Sequence, residues 1–153
     1  MKRLIAAALI ALWGSHVAAN EHSVTHVESK LGVAETMDGL EAAVVTAGAT
    51  IFARVDHTAG AERAGIELAP AQLLVFGNPA LGSKAMQDDI LAGLHLPLRV
   101  LVYEDEGGTT YLAYEDPAVT LGNLDGVDIG ASYISEMRAA LSKLTSKASD
   151  VVE

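Results

Sequence analysis

The stretch Leu73-Leu74-Val75-Phe76-Gly77-Asn78-Pro79 decides how the chain is read. Four consecutive large apolar residues suit a strand buried on both faces, and Gly-Asn-Pro ends that strand because proline has no N–H to give a ladder. Upstream, Thr50-Ile51-Phe52-Ala53-Arg54-Val55 is rich in β-branched and aromatic side chains and reads as a second strand, closing at Asp56-His57-Thr58. Downstream, Pro97 opens the clearest alternation in the chain. Leu98, Val100 and Val102 point to one face, and Arg99, Leu101 and Tyr103 to the other. Asp105-Glu106-Gly107-Gly108 has the composition of a hairpin turn, so Thr109 to Tyr114 is expected to return as an antiparallel partner.

Helices fill the intervals. From Ala34 to Ala47, Met37, Leu40, Val44 and Ala47 recur at spacings of three and four, an amphipathic pattern that covers a sheet, with Thr36 as candidate N-cap and Gly48 as the stop. Ala59 to Ala64 is a short helical stretch closed by Gly65. Ser83 is expected to cap a short helix carrying Met86 and Ile90 and ending near Gly93. Ile134, Met137, Leu141 and Leu144 form the stripe of a last helix, capped by Ser132, whose tail frays from Ser146. Val24 to Leu31 reads as a first strand. The order predicts an α+β fold: a single small domain with a mixed or antiparallel sheet covered by helices mainly on one face.

Before this domain, Met1-Lys2-Arg3 is basic, Leu4 to Trp13 is apolar and Val17-Ala18-Ala19 is small, the pattern of an export signal. The expected division is a signal peptide over residues 1–19, an exposed lead-in over 20–30, the domain over 31–148 and a polar tail over 149–153. The expected compartment is periplasmic or secreted, with no stable membrane anchor after cleavage. The chain has 153 residues and a formal charge of −10. Loss of Lys2 and Arg3 lowers Lys+Arg from 10 to 8 against 20 acids, so the mature charge is about −12. Such a surface repels phosphate backbones, and nucleic acid is excluded as a partner. With no cysteine, thiol nucleophiles, thiolate metal sites and disulfides are excluded, and stability rests on packing.

Taken in order, Asp56-His57, Phe76-Gly77-Asn78-Pro79, Leu96-Pro97-Leu98-Arg99 and the Tyr114-x-Asp116-Pro117 corner resemble the bacterial family DUF302, a domain of unknown function, from roughly Lys30 to Ala148. The resemblance implies a small α+β fold that associates in pairs, hence a homodimer, and it implies no reaction, substrate or cofactor.

Three constellations carry chemistry. The first is His57, Asn78, Ser83, Lys84 and Arg99. His57 follows one strand and Asn78 another; if those strands are parallel neighbours, both sit at one end of the sheet, where loops build ligand sites. Imidazole serves as acid, base or ligand near neutral pH, and the amide both donates and accepts. The plainer reading is that His57 ends a strand and that Asn before Pro suits a turn. Ser83 and Lys84 at a helix start would offer free backbone N–H groups to a small anion. The second constellation is Asn20-Glu21-His22. Exposed by cleavage after Ala19, it would wrap an amine, two amides and an imidazole around Cu(II) or Ni(II). The third comprises the acidic turns Glu104-Asp105-Glu106 and Glu115-Asp116, read chiefly as solvated turns. The chain has no G-x-S-x-G elbow, Walker loop, G-x-G-x-x-G or H-E-x-x-H pattern.

The expectation is therefore an exported, non-catalytic module that binds a small ligand, a metal or a protein partner. An enzyme using His57 as acid/base with Asn78 orienting, and a dimeric structural or interaction module, are the alternatives.

Overall fold

Strand Leu98–Glu104 (β4) sits at the centre of the sheet, and its alternation holds: Val100 and Val102 are fully buried while Arg99 is exposed. The structure, a computed structural model, describes residues 24–150. Around β4 are Val24–Ser29 (β1), Thr50–Asp56 (β2), Ala71–Gly77 (β3) and Thr110–Glu115 (β5), in the spatial order β1-β5-β4-β3-β2 with every neighbouring pair antiparallel. The lead-in is therefore part of the sheet from Val24 onward, as its edge strand.

Helices Val33–Thr46 (α1) and Ser132–Ser149 (α5) pack on each other, α1 against β2, β3 and β4 and α5 against β1 and β5. Beneath them lies the main core, with Met37, Leu40 and Val44 from α1 meeting Leu74, Phe76 and Leu112 from the sheet. Period 3.6 on α1 and period 2 on the strands bring these residues to one plane. The architecture is α+β, one sheet with its long helices on one face. That arrangement corrects the reading of Leu73–Phe76 as buried on both sides: Leu74 and Phe76 are buried, whereas Leu73 and Val75 are half-buried on the opposite face.

Polar side chains start the three shorter α-helices. Asp56 caps Ala59 N–H at the head of His57–Arg63 (α2), Asn78 caps Ala80 N–H at the head of Pro79–Asp88 (α3), and Asp116 caps Ala118 N–H at the head of Pro117–Thr120 (α4). Each oxygen takes an orphan N–H, and at Asn78 and Asp116 the following first-turn proline has none to satisfy. Thr36 is not a cap. It lies inside α1, fully buried, with its hydroxyl 2.7 Å from Ser29 Oγ, tying the helix to β1. Ser132 is not one either; Ala131 precedes α5 without a side-chain bond, and α5 continues to Ser149 with Ala148 and Ser149 buried instead of fraying at Ser146.

A second, smaller core lies beside the first. A 3-10 helix at Ile90–Leu94 follows α3, and Ala85, Ala92, Leu121, Val127 and Ile134 pack there with Met137 of α5. Tyr133 donates its hydroxyl to Asp88 Oδ2 at 2.7 Å, joining α5 to the end of α3.

Candidate functional site

The end of β3, the start of α3 and the segment entering β4 do not close completely. Between them lies a cavity of about 380 Å³, within the range of small-molecule sites and near its lower end. Gly77, Asn78 and Pro79 form one wall, Leu96, Pro97 and Leu98 another, with the Leu96–Pro97 bond cis. Gly82, Ser83 and Met86 of α3 line the third side, Met137 reaches in from α5 and Phe52 of β2 stands at the mouth, 54% exposed.

Missing side chains hold this space open. A Cβ on Gly77 would come within 3.5 Å of Pro97 Cβ, and one on Gly82 within 3.7 Å of Leu96 Cδ1. A Cβ on Gly93 would meet Met86 Cε at 3.1 Å. These three glycines come from three consecutive elements, the end of β3, the middle of α3 and the 3-10 helix, and converge on one volume. Among the described residues no ionisable side chain lines it. Its polar groups are the Asn78 amide and the Ser83 hydroxyl. Asn78 Oδ1 already accepts Ala80 N–H at 2.9 Å, which leaves the amide NH₂ as the uncommitted donor.

Of the five residues singled out from sequence, Asn78 and Ser83 meet at the cavity and the others lie outside its lining. Because β2 and β3 run antiparallel, Asp56 pairs with Gln72 whereas Gly77 pairs with Thr50. His57 and Asn78 thus stand at opposite ends of the ladder, roughly 20 Å apart at ~3.3 Å per residue. The parallel arrangement that would have joined them is corrected, and with it the geometry for His57 as acid/base oriented by Asn78. His57 is exposed at the start of α2. Ser83 and Lys84 lie in the middle of α3, so their N–H groups belong to the helix and offer no anion cradle. Ser83 nevertheless lines the cavity, and Lys84 is exposed beside it. Arg99 faces the other side of the sheet, with its guanidinium 3.2 Å from Glu115. Asn20, Glu21 and His22, with the copper or nickel chemistry expected of them, lie outside the described residues. Among the described residues no group of three His, Asp or Glu side chains is placed to hold a metal.

The acidic turns serve the fold. Asp105 Oδ1 accepts N–H groups from Gly107 and Thr109, each at 2.9 Å, and closes the β4–β5 hairpin. A shallow cleft of about 430 Å³ at the His57 end is lined by Glu35, Asp56 and Glu104. It gathers like charges with no cation among its lining residues. Sequence reasoning found Asn78 and Ser83 but missed Phe52, Met86, Met137 and the glycines. The available signal was glycine within otherwise regular elements, at Gly77 and Gly82, which marks a close approach or a space left open.

The sheet face opposite α1 and α5 carries an apolar row. Val55, Leu73, Leu101 and Ala113 follow one another in register across four strands and end at His26. Beside this row the Tyr103 and Tyr111 rings stand 5.9 Å apart, and Tyr103 Oη is 3.2 Å from His26 Nδ1.

The family model described as "Domain of unknown function DUF302" matches residues 25–148. A crystal structure of an uncharacterized conserved protein DUF302 from Bacillus stearothermophilus superposes with a TM-score of 0.67 at 22% identity, covering 84% of this chain and 97% of that one. It shares the fold. The chain is also 47% identical over 92 residues to proteins called fluoride-specific ion channel FluC 1 in Brucella suis biovar 1 (strain 1330) and in Brucella abortus biovar 1 (strain 9-941). These matches cover 60% of this chain but only 36% and 34% of the relatives, so the chain spans about a third of their length.

Proposed function

This chain belongs to the DUF302 family, and from that membership and the cavity's geometry we propose an exported, non-catalytic module that binds a small, uncharged, largely apolar molecule between β3, α3 and the start of β4. The observation that carries this reading is the convergence of Gly77-Asn78-Pro79 and Leu96-Pro97-Leu98 on one cavity without an ionisable wall. Burying a charge there without a partner would be strongly unfavourable, whereas apolar surface gains ~25 cal/mol for each Å² removed from water. Among the described residues the strongest nucleophile lining the cavity is the Ser83 hydroxyl, which supports binding over catalysis in this reading.

The relatives named as fluoride channels fit the same proposal. Roughly two thirds of each lies outside the match. Among the described residues no helix is long and apolar enough to cross a membrane, and the cavity presents no cationic side chain to an anion. We read the shared stretch as a module that accompanies the channel in those relatives.

A second reading, pairing of two copies, is favoured by the row Val55, Leu73, Leu101 and Ala113 on the face away from the long helices. The two readings are compatible, because the cavity and that row occupy different surfaces.

The test is native mass spectrometry of the protein purified from the periplasm without metal-affinity resin, beside a Gly82→Leu variant in which the new side chain fills the cavity. A small-molecule adduct on the wild type, lost in the variant, is the expected result. The same adduct on both proteins, or none on the wild type even after incubation with 2-methylnaphthalene, would overturn the reading. The same spectra count the copies and show whether the mature mass begins at Asn20.

A further inference from the structure

We propose that the ligand is a flat, uncharged ring system bearing a hydrogen-bond acceptor at its edge, such as an aromatic ketone or quinone, with the acceptor seated on the Asn78 amide NH₂; this rests on the binding reading above. The walls carry the first half of the argument. Gly77, Gly82 and Gly93 present backbone instead of side chains, and Pro79 and Pro97 present rigid rings, so much of the surface is smooth. Met86 and Met137 add thioethers, which adapt in shape and favour contact with aromatic rings. Phe52 offers a ring at the mouth, where an incoming ring can stack offset or edge-to-face. A planar molecule uses such walls on both of its faces. A linear acyl chain gains nothing particular from them, and its carboxylate would find no cation in the lining.

Asn78 carries the second half. As the N-cap of α3 its oxygen is held by Ala80 N–H, and this bond fixes which way the amide can serve a ligand. What remains is a donor, so the ligand must supply an acceptor. The Ser83 hydroxyl, on the same helix and the same lining, can donate or accept and adds a second contact. The absence of any ionisable wall requires that the acceptor be neutral.

The substitution that isolates the donor is Asn78→Asp. A carboxylate keeps the capping oxygen and suits a helix N-terminus, but it replaces NH₂ with a second acceptor. The probes are menadione, which carries two ring carbonyls, 2-methylnaphthalene, which has the same ring system without them, and dodecanoate. The chain has no cysteine, so menadione meets no thiol to add to. Equilibrium dialysis on the wild type should show menadione bound about ten-fold more tightly than 2-methylnaphthalene, the size of one net hydrogen bond. In Asn78→Asp that advantage should shrink to about two-fold or less, while 2-methylnaphthalene still binds and the melting temperature does not fall. Equal binding of the two rings by the wild type, or an advantage that survives in Asn78→Asp, would overturn the ring-and-acceptor proposal and leave the broader reading standing. Dodecanoate as the tightest probe, being charged, would overturn both. Binding of none of the three would overturn both.

Discussion

Asn78 holds Ala80 through a single bond, Oδ1 accepting the Ala80 N–H at 2.9 Å, and so the residue that starts α3 also lines the cavity. Removing the cap with Asn78→Ala should lower unfolding stability by about 1 kcal/mol, whereas Asn78→Asp should leave it unchanged or slightly raised. Urea denaturation of the two variants separates the atom used for folding from the atom left for a ligand.

Gly82 carries the opposite trade. It sits inside α3, where glycine is less stable than alanine by ~0.5–1 kcal/mol, and the nearest atom to a new Cβ is at an ordinary 3.7 Å. Gly82→Ala should therefore raise the denaturation midpoint. A larger side chain there should keep the fold and lose the ligand, the pattern of a residue held for function at some expense of stability.

Phe52 and Met37 make a matched contrast. Met37 is fully buried in the main core, so Met37→Ala should cost about 2–5 kcal/mol. Phe52 is mostly exposed at the mouth, so Phe52→Ala should change stability by less than about 0.5 kcal/mol while weakening 2-methylnaphthalene binding. Chemical denaturation and equilibrium dialysis on the same two variants check this.

Stability should fall in strong alkali because of Tyr133. Its burial, with the hydrogen bond to Asp88 second, pushes the phenol up to about 12. An unfolded tyrosine ionises near 10, so between about pH 10 and 12 the unfolded chain binds fewer protons than the folded one, and unfolding free energy declines with pH. The contribution is complete below pH 10 and lost through 12, on the order of 1–2 kcal/mol. Tyr133→Phe should show a shallower decline over that window when urea midpoints are compared at successive pH values.

On the outer sheet face, Val55→Asp places a charge at the exposed end of the apolar row. If two copies pair there, analytical ultracentrifugation should show the wild type as a dimer and Val55→Asp as a monomer with unchanged circular dichroism.

Much of the fold was legible. The alternation in Leu98–Tyr103, the spacing of Met37, Leu40 and Val44 and the turn at Asp105–Gly108 each imposed a period that packing then used. Strand direction was not legible, since the fourteen residues from His57 to Pro70 are long enough to return the chain either way. That ambiguity placed His57 beside Asn78, and the antiparallel ladder parted them. Asp56, Asn78 and Asp116 were visible as motif residues, but their shared work as helix caps emerges only once the following segments are seen to be helical. The cavity was hidden because no local pattern specifies a space; it arises where Gly77, Gly82 and Gly93 converge after folding.

The methionines provide the most direct test of ligand binding in that cavity. Met37 lies in the main core, whereas Met86 and Met137 line the cavity, so three methyl groups report on two places. Methyl NMR of protein labelled with ¹³C-methyl methionine, titrated with 2-methylnaphthalene, should move the Met86 and Met137 signals, leave Met37 in place, and lose the effect in Gly82→Leu. Cavity signals that stay fixed while the ligand is in excess, or that move no more than Met37, would contradict the account.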